Sequence, residues 1–147
     1  VFVTGLSAGG AMAAVMLATY PELFAGGAVI AGLPYGSAST VPEALERMRG
    51  QGLPGEDALL RAVRAASPHG GPWPRLSVWH GQQDHVVVPA AGEAVLSQWR
   101  GLHGLAEGPS EILSIGPHRR RVWRDGGGVA RIEAFALAGM GHGTPID

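Results

Sequence analysis

Hydrophobic positions along this chain fall into short runs separated by turns rich in glycine and proline. Val1-Phe2-Val3 reads as a short buried strand. Ala8 to Thr19, "AGGAMAAVMLAT", predicts a helix whose small residues sit against a sheet, with Pro21 stopping it. Gly27 to Ala31 is a second apolar strand, and "GLPYGSAST" is a loop by composition. Two short helices follow, near Pro42–Arg49 and Glu56–Ala66, and then a turn-rich link, "SPHGGPWP". Leu76 to Trp79 is a third buried strand ending at His80-Gly81, and Pro89 to Arg100 is another helix. "RRRVWRDGGGVARIEAFAL" predicts a late hairpin about Gly126-Gly127-Gly128, before a glycine-rich loop, "AGMGHG". Strands alternating with helices predict an α/β architecture with a mostly parallel sheet flanked by helices. The pattern shows no repeat and no linker, so residues 1–147 read as a single domain.

Composition narrows the chemistry. The chain has 147 residues, 46% of them hydrophobic, and a formal charge of −1, which points to a globular domain with no broad basic surface for nucleic acid. The basic run His118 to Arg124 reads as a solvated strand face. There is no cysteine, hence no thiol nucleophile and no zinc–thiolate site. There is no lysine either, since all 11 cations are arginines, and this excludes Schiff-base chemistry and a Walker lysine. No apolar run approaches the length of a membrane span. Neither cofactor nor metal is expected, because His80, Asp84 and His85 form too small a ligand set.

Gly5-Leu6-Ser7-Ala8-Gly9 matches G-x-S-x-G, the nucleophile elbow. A strand that becomes a helix within a few residues forces a strained backbone at the serine, and flanking glycines remove side chains that would collide. The hydroxyl then stands above the sheet, and the Ala8 backbone N–H, at the helix N-terminus, faces a developing oxyanion. The motif is weak by itself, but the strand before it and the small-residue helix after it are the context it requires. A dinucleotide-binding turn of the short-chain dehydrogenase type is the rival reading. Against it stand Ala11 in place of the last glycine, the lack of an acid after the second strand, and the lack of lysine.

A serine nucleophile needs a base, and the base needs an orienting acid. With this elbow the partners follow in the order acid, histidine, each beyond a strand end. His142 alone among six histidines follows the final strand. Asp84 lies four residues past the end of the third strand, and no carboxylate falls between Gly32 and Pro42. His80 reads as a structural, hydrogen-bonded residue, and His69, His103 and His118 as residues of links and exposed turns. Leu6, Pro34, Tyr35 and Trp79 flank strand ends and are candidate pocket residues. Trp73, Trp99 and Trp123 suit a core or a lid.

Three blocks, "VTGLSAGGAMAAVMLATYPELFAGGAVIAGLPYG", "PWPRLSVWHGQQDHVVVP" and "GMGHGTP", together resemble the catalytic domain of short-chain polyhydroxyalkanoate depolymerases and the related feruloyl and acetylxylan esterases. The resemblance implies an α/β-hydrolase fold, with Ser7 as nucleophile, Asp84 as acid and His142 as base, acting on a polyester or acyl ester. It also implies secretion, although Ser37 stands where the group usually has a cysteine. Against that group the chain is expected to be a fragment, lacking the first sheet strands and the loop with the second oxyanion donor, and truncated at its other end as well. Little activity is expected of such a fragment, with a rate rising through an ordinary histidine ionisation near about pH 6.5. The alternative from another class is a non-catalytic binding module of the same fold.

Overall fold

The structure, a computed structural model, describes residues 1–146. Six strands form one sheet: β1 (Phe2–Leu6), β2 (Gly26–Ile30), β3 (Arg75–Gly81), β4 (Glu111–Ile115), β5 (His118–Arg124) and β6 (Ala130–Leu137). Four helices join them: α1 (Ala8–Thr19), α2 (Val41–Met48), α3 (Glu56–Ala66) and α4 (Pro89–His103). The spatial order is β1-β2-β3-β6-β5-β4, with β1, β2, β3 and β6 parallel and β4, β5 and β6 antiparallel neighbours. The mostly parallel sheet with a late hairpin agrees with the pattern of the sequence. Strand β4 was not foreseen: four of its five residues are exposed, so it carries no buried periodicity to find.

One face of the sheet holds the core. Leu76 and Val78 of β3, Val29 of β2, Ile132 and Ala134 of β6 and Trp123 of β5 point to this face and pack with Leu17, Val63, Val95, Leu96 and Trp99 of the helices. Trp73, Trp99 and Trp123 are all buried core residues. The other face presents a transverse row, Leu6, Ile30, Trp79, Phe135, set by the strand register. Within it the Trp79 and Phe135 rings stack at 3.8 Å. A hollow on this face, lined by Phe2, Thr4, Gly26, Ala28, Arg75 and Ser77, lies toward the beginnings of the parallel strands, at the opposite end from Ser7 and His142.

The histidines outside the site divide by context. His103 is not in an exposed turn; it closes α4, half-buried, with Nε2 3.0 Å from the Pro74 carbonyl. His118 likewise opens β5 rather than sitting in a turn, and its Nδ1 accepts from the Ala138 N–H at 3.1 Å. The basic strand is only partly a free solvated face, since Arg120 pairs with Glu133 at 2.8 Å and Arg121 with Glu93 at 2.5 Å.

Gln98, fully buried on α4, ties the loop after β2 to the helical layer. Its Oε1 accepts from the Tyr35 N–H at 3.1 Å, and its Nε2 donates to the carbonyls of Tyr35 and Leu59, each at 2.9 Å. Removing that amide strands both backbone polar groups of Tyr35, while the Leu59 carbonyl keeps its bond within α3, and buried polar groups left unpaired are costly. Gln98→Leu is therefore expected to lower the unfolding free energy by about 2–3 kcal/mol, read from the urea midpoint at unchanged slope.

Candidate active site

The elbow is built as its sequence requires. β1 ends at Leu6, and Ser7 takes φ 57° and ψ −117°, outside the regions an L-residue prefers, before α1 begins at Ala8. The Ser7 N–H donates to the Ile30 carbonyl at 2.9 Å, carrying the β1–β2 ladder into the turn, while its own carbonyl accepts from the Ala11 N–H at 2.9 Å. Serine at a helix N-cap usually spends its hydroxyl on a backbone N–H. Here it makes no capping bond, so the hydroxyl is left for other chemistry. Ala8 is the first residue of α1, and N–H groups of the first turn have no acceptor within the helix.

The glycines of the motif do different jobs. A Cβ on Gly5 would stand 2.0 Å from the Gly9 carbonyl oxygen, so the turn closes only over a glycine there. A Cβ on Gly9 would meet nothing within 4 Å. The steric reason expected for Gly9 belongs instead to Gly10, where a Cβ would lie 2.9 Å from the Ile30 carbonyl oxygen and 3.0 Å from that of Gly5.

Asp84 follows β3 in a tight turn. Its side chain is fully buried, and its Oδ1 accepts from the N–H groups of Val86 and Val87, each at 2.9 Å. Its Oδ2 lies 2.8 Å from Nδ1 of His142, which fixes the His142 proton on Nδ1 and leaves Nε2 as the ring's acceptor. Burial opposes ionisation of Asp84, but the His142 bond and the two backbone donors outweigh it and hold the carboxyl below its usual range.

His142 reaches Asp84 because its loop crosses directly over β3. The Gln82 N–H donates to the Leu137 carbonyl at 3.0 Å, and the Gln83 N–H to that of Met140 at 2.9 Å. A Cβ on Gly81 would fall 2.3 Å from both the Met140 and Gly141 carbonyl oxygens, so this crossing needs glycine.

Asp84 and His142 are thus in contact, and Ser7 stands at the same C-terminal edge of the sheet, at the end of β1. Among the described residues no hydrogen bond joins the Ser7 hydroxyl to the His142 ring. Pro34 is buried, and Tyr35 is half-buried in the loop held by Gln98. Leu6 and Trp79 point to the sheet face away from the helices, and the Trp79 indole N–H bonds to the Ser77 hydroxyl. Among the described residues no group of histidines and acids is arranged to hold a metal, and no helix is long and apolar enough to cross a membrane.

A family model described as Esterase PHB depolymerase matches residues 1–123, which include Ser7 and Asp84. Poly(3-hydroxyalkanoate) depolymerase C of Paucimonas lemoignei is 40% identical over 152 residues, covering 100% of this chain and 36% of that protein. An acetylxylan esterase of Coprinopsis cinerea is 36% identical, over 99% of this chain and 40% of that protein. The acetyl xylan esterase structure from Aspergillus awamori superposes with a TM-score of 0.87 at 27% identity, covering 99% of this chain and 55% of that one. The PHB depolymerase structure from Penicillium funiculosum superposes at 0.68 with 21% identity, covering 99% of this chain and 40% of that one, a likeness of fold. The chain therefore spans about two fifths of the length of the curated relatives it matches.

The lowered Asp84 ionisation has a stability consequence. A depressed carboxyl stabilises the fold above its unfolded-state value, near about 4, and that contribution is lost as pH falls through the lower folded value. Asp84→Asn is expected to cost about 1–3 kcal/mol near neutral pH. The gap between the two proteins should narrow steadily in acid, as measured by urea unfolding from about pH 7 to pH 3.

Proposed function

The chain belongs to the Esterase PHB depolymerase family, and from that premise we propose that it carries the reacting groups of a serine carboxylesterase acting on short-chain polyhydroxyalkanoates or similar esters. The observation that carries the reading is the 2.8 Å contact between His142 Nδ1 and the buried Asp84 carboxylate, at the sheet edge where the Ser7 elbow opens. Ser7 Oγ attacks the ester carbonyl carbon, and His142 Nε2 takes its proton. Asp84 keeps the imidazole in the required tautomer and stabilises the imidazolium that forms. The Ala8 N–H donates to the oxygen as it gains charge. His142 then returns the proton to the departing alkoxide, leaving an acyl-serine. Water, deprotonated by His142, attacks that ester, and Ser7 leaves as the free hydroxyl.

Acetylxylan or a feruloyl ester is the second substrate reading. It is supported by the acetylxylan esterase from Coprinopsis cinerea, the feruloyl esterase B of Talaromyces stipitatus at 32% identity, and the fit to the Aspergillus awamori structure. Neither substrate needs a cofactor in this scheme.

A fluorophosphonate probe should label the full-length protein at Ser7. Labelling should vanish in Ser7→Ala and fall sharply in His142→Ala, with ester turnover reduced by about 10⁴-fold or more in either variant. Release of hydroxyacid, acetate or ferulate from the three ester classes then selects the substrate. Failure of the full-length protein to label would overturn the enzyme reading in favour of a binding module.

A further inference from the structure

Next to Asp84 lies a buried histidine that the ester chemistry does not use. His80, at 5% exposure, is the next-to-last residue of strand β3. Its Nε2 is 2.7 Å from the Val87 carbonyl oxygen. A carbonyl only accepts, so the ring proton is on Nε2. The same nitrogen lies 3.6 Å from Asp84 Oδ2, too long for a hydrogen bond.

The partner of that bond matters more than its length. Val87 is the residue whose N–H donates to Asp84 Oδ1. Its side chain is buried with Leu33 and Ala91, and the next N–H, that of Val88, donates to the Met48 carbonyl at 2.8 Å. His80 holds the remaining polar group of Val87, its carbonyl. The turn that aims Asp84 is therefore fastened at both ends of one residue, once by Asp84 itself and once by His80.

Keeping the imidazole here is costly. Its Nδ1 is buried without a partner. It also lies against Gly92 inside α4, where a Cβ would stand 2.7 Å away, so a helix-weakening glycine is retained to make room for the ring. Plain packing would be served more cheaply by an aliphatic side chain.

We infer that His80 is a positioning residue, whose Nε2–H bond to Val87 keeps the Asp84 carboxylate aimed at His142 Nδ1. The kinetic part of the inference rests on the esterase reading; the structural part does not. Three variants test it: His80→Phe keeps a ring without the donor, His80→Gln restores a donor, and Gly92→Ala presses on the ring while favouring the helix. The first readout is the His142 Nδ1–H proton in NMR spectra, assigned by its loss in Asp84→Asn. In His80→Phe its exchange with water should quicken by about tenfold or more. The second readout is turnover of a soluble ester, where kcat should fall by about 10- to 100-fold at nearly unchanged KM. His80→Gln should recover most of both, and Gly92→Ala should move both in the direction of His80→Phe.

A folded His80→Phe protein with an unchanged His142 proton and unchanged kcat would overturn the inference. Should His80→Phe fail to fold, an unaffected Gly92→Ala would overturn it equally. If the full-length protein turns over no ester, the enzyme reading fails, yet the NMR comparison still decides the role of His80.

Discussion

A carboxylate with no access to water must find its hydrogen bonds inside the protein, and the C-terminal edge of this sheet is organised around that requirement. Asp84 is fully buried as a side chain, and desolvation alone would push it toward the neutral form. Two backbone N–H groups and one imidazole N–H reverse that tendency. Those donors come from separate segments, the turn after β3 and the loop after β6. Satisfying one charge thus joins two pieces of chain that are 58 residues apart. The order of the imidazole, and the availability of its outer nitrogen, follow from this one satisfied group.

The elbow imposes a second, steric demand at the other end of the edge. Ser7 is held at positive φ because the Ile30 carbonyl takes its N–H, while α1 presses so closely on β1 and β2 that Gly5 and Gly10 leave no room for a methyl group. Strain of this kind persists only where surrounding structure enforces it. The enforcement is visible in the two backbone bonds of Ser7 and in a helix made almost entirely of small or flexible residues.

Much of this was legible in the chain. Period and turn residues locate α1, β2, β3, α4 and the late hairpin, because each buries a regular set of apolar positions; β1 is a strand as its apolar run predicts, but not a buried one, since Val1 and Phe2 are 82% and 76% exposed at the sheet edge. Asp84 and His142 follow from topology, since an elbow serine restricts where its partners can stand, and the contact between them is present. β4 escaped because an exposed edge strand has no buried face to mark it. Gln98 escaped for a different reason: a glutamine on a helix reads as surface until the loop it holds is known. Gly9 and Gly10 are adjacent and chemically identical, and only the approach of β2 distinguishes the one that must lack a side chain. His80 was legible as structural; its attachment to the Asp84 turn was not, because that depends on how the chain folds back seven residues later.

The crossing of the His142 loop over Gly81 fixes a length as well as a position. Surface loops ordinarily accept extra residues at small entropic cost. Between Leu137 and His142 that tolerance is gone, because the carbonyls of Leu137 and Met140 are both claimed by the turn below and the gap beneath them is closed. The segment works as a ruler, and one inserted residue would carry the imidazole past its carboxylate. The tip at Gly126–Gly128 lies at the far end of the same hairpin and measures nothing, so grafts that leave the reacting edge undisturbed belong there.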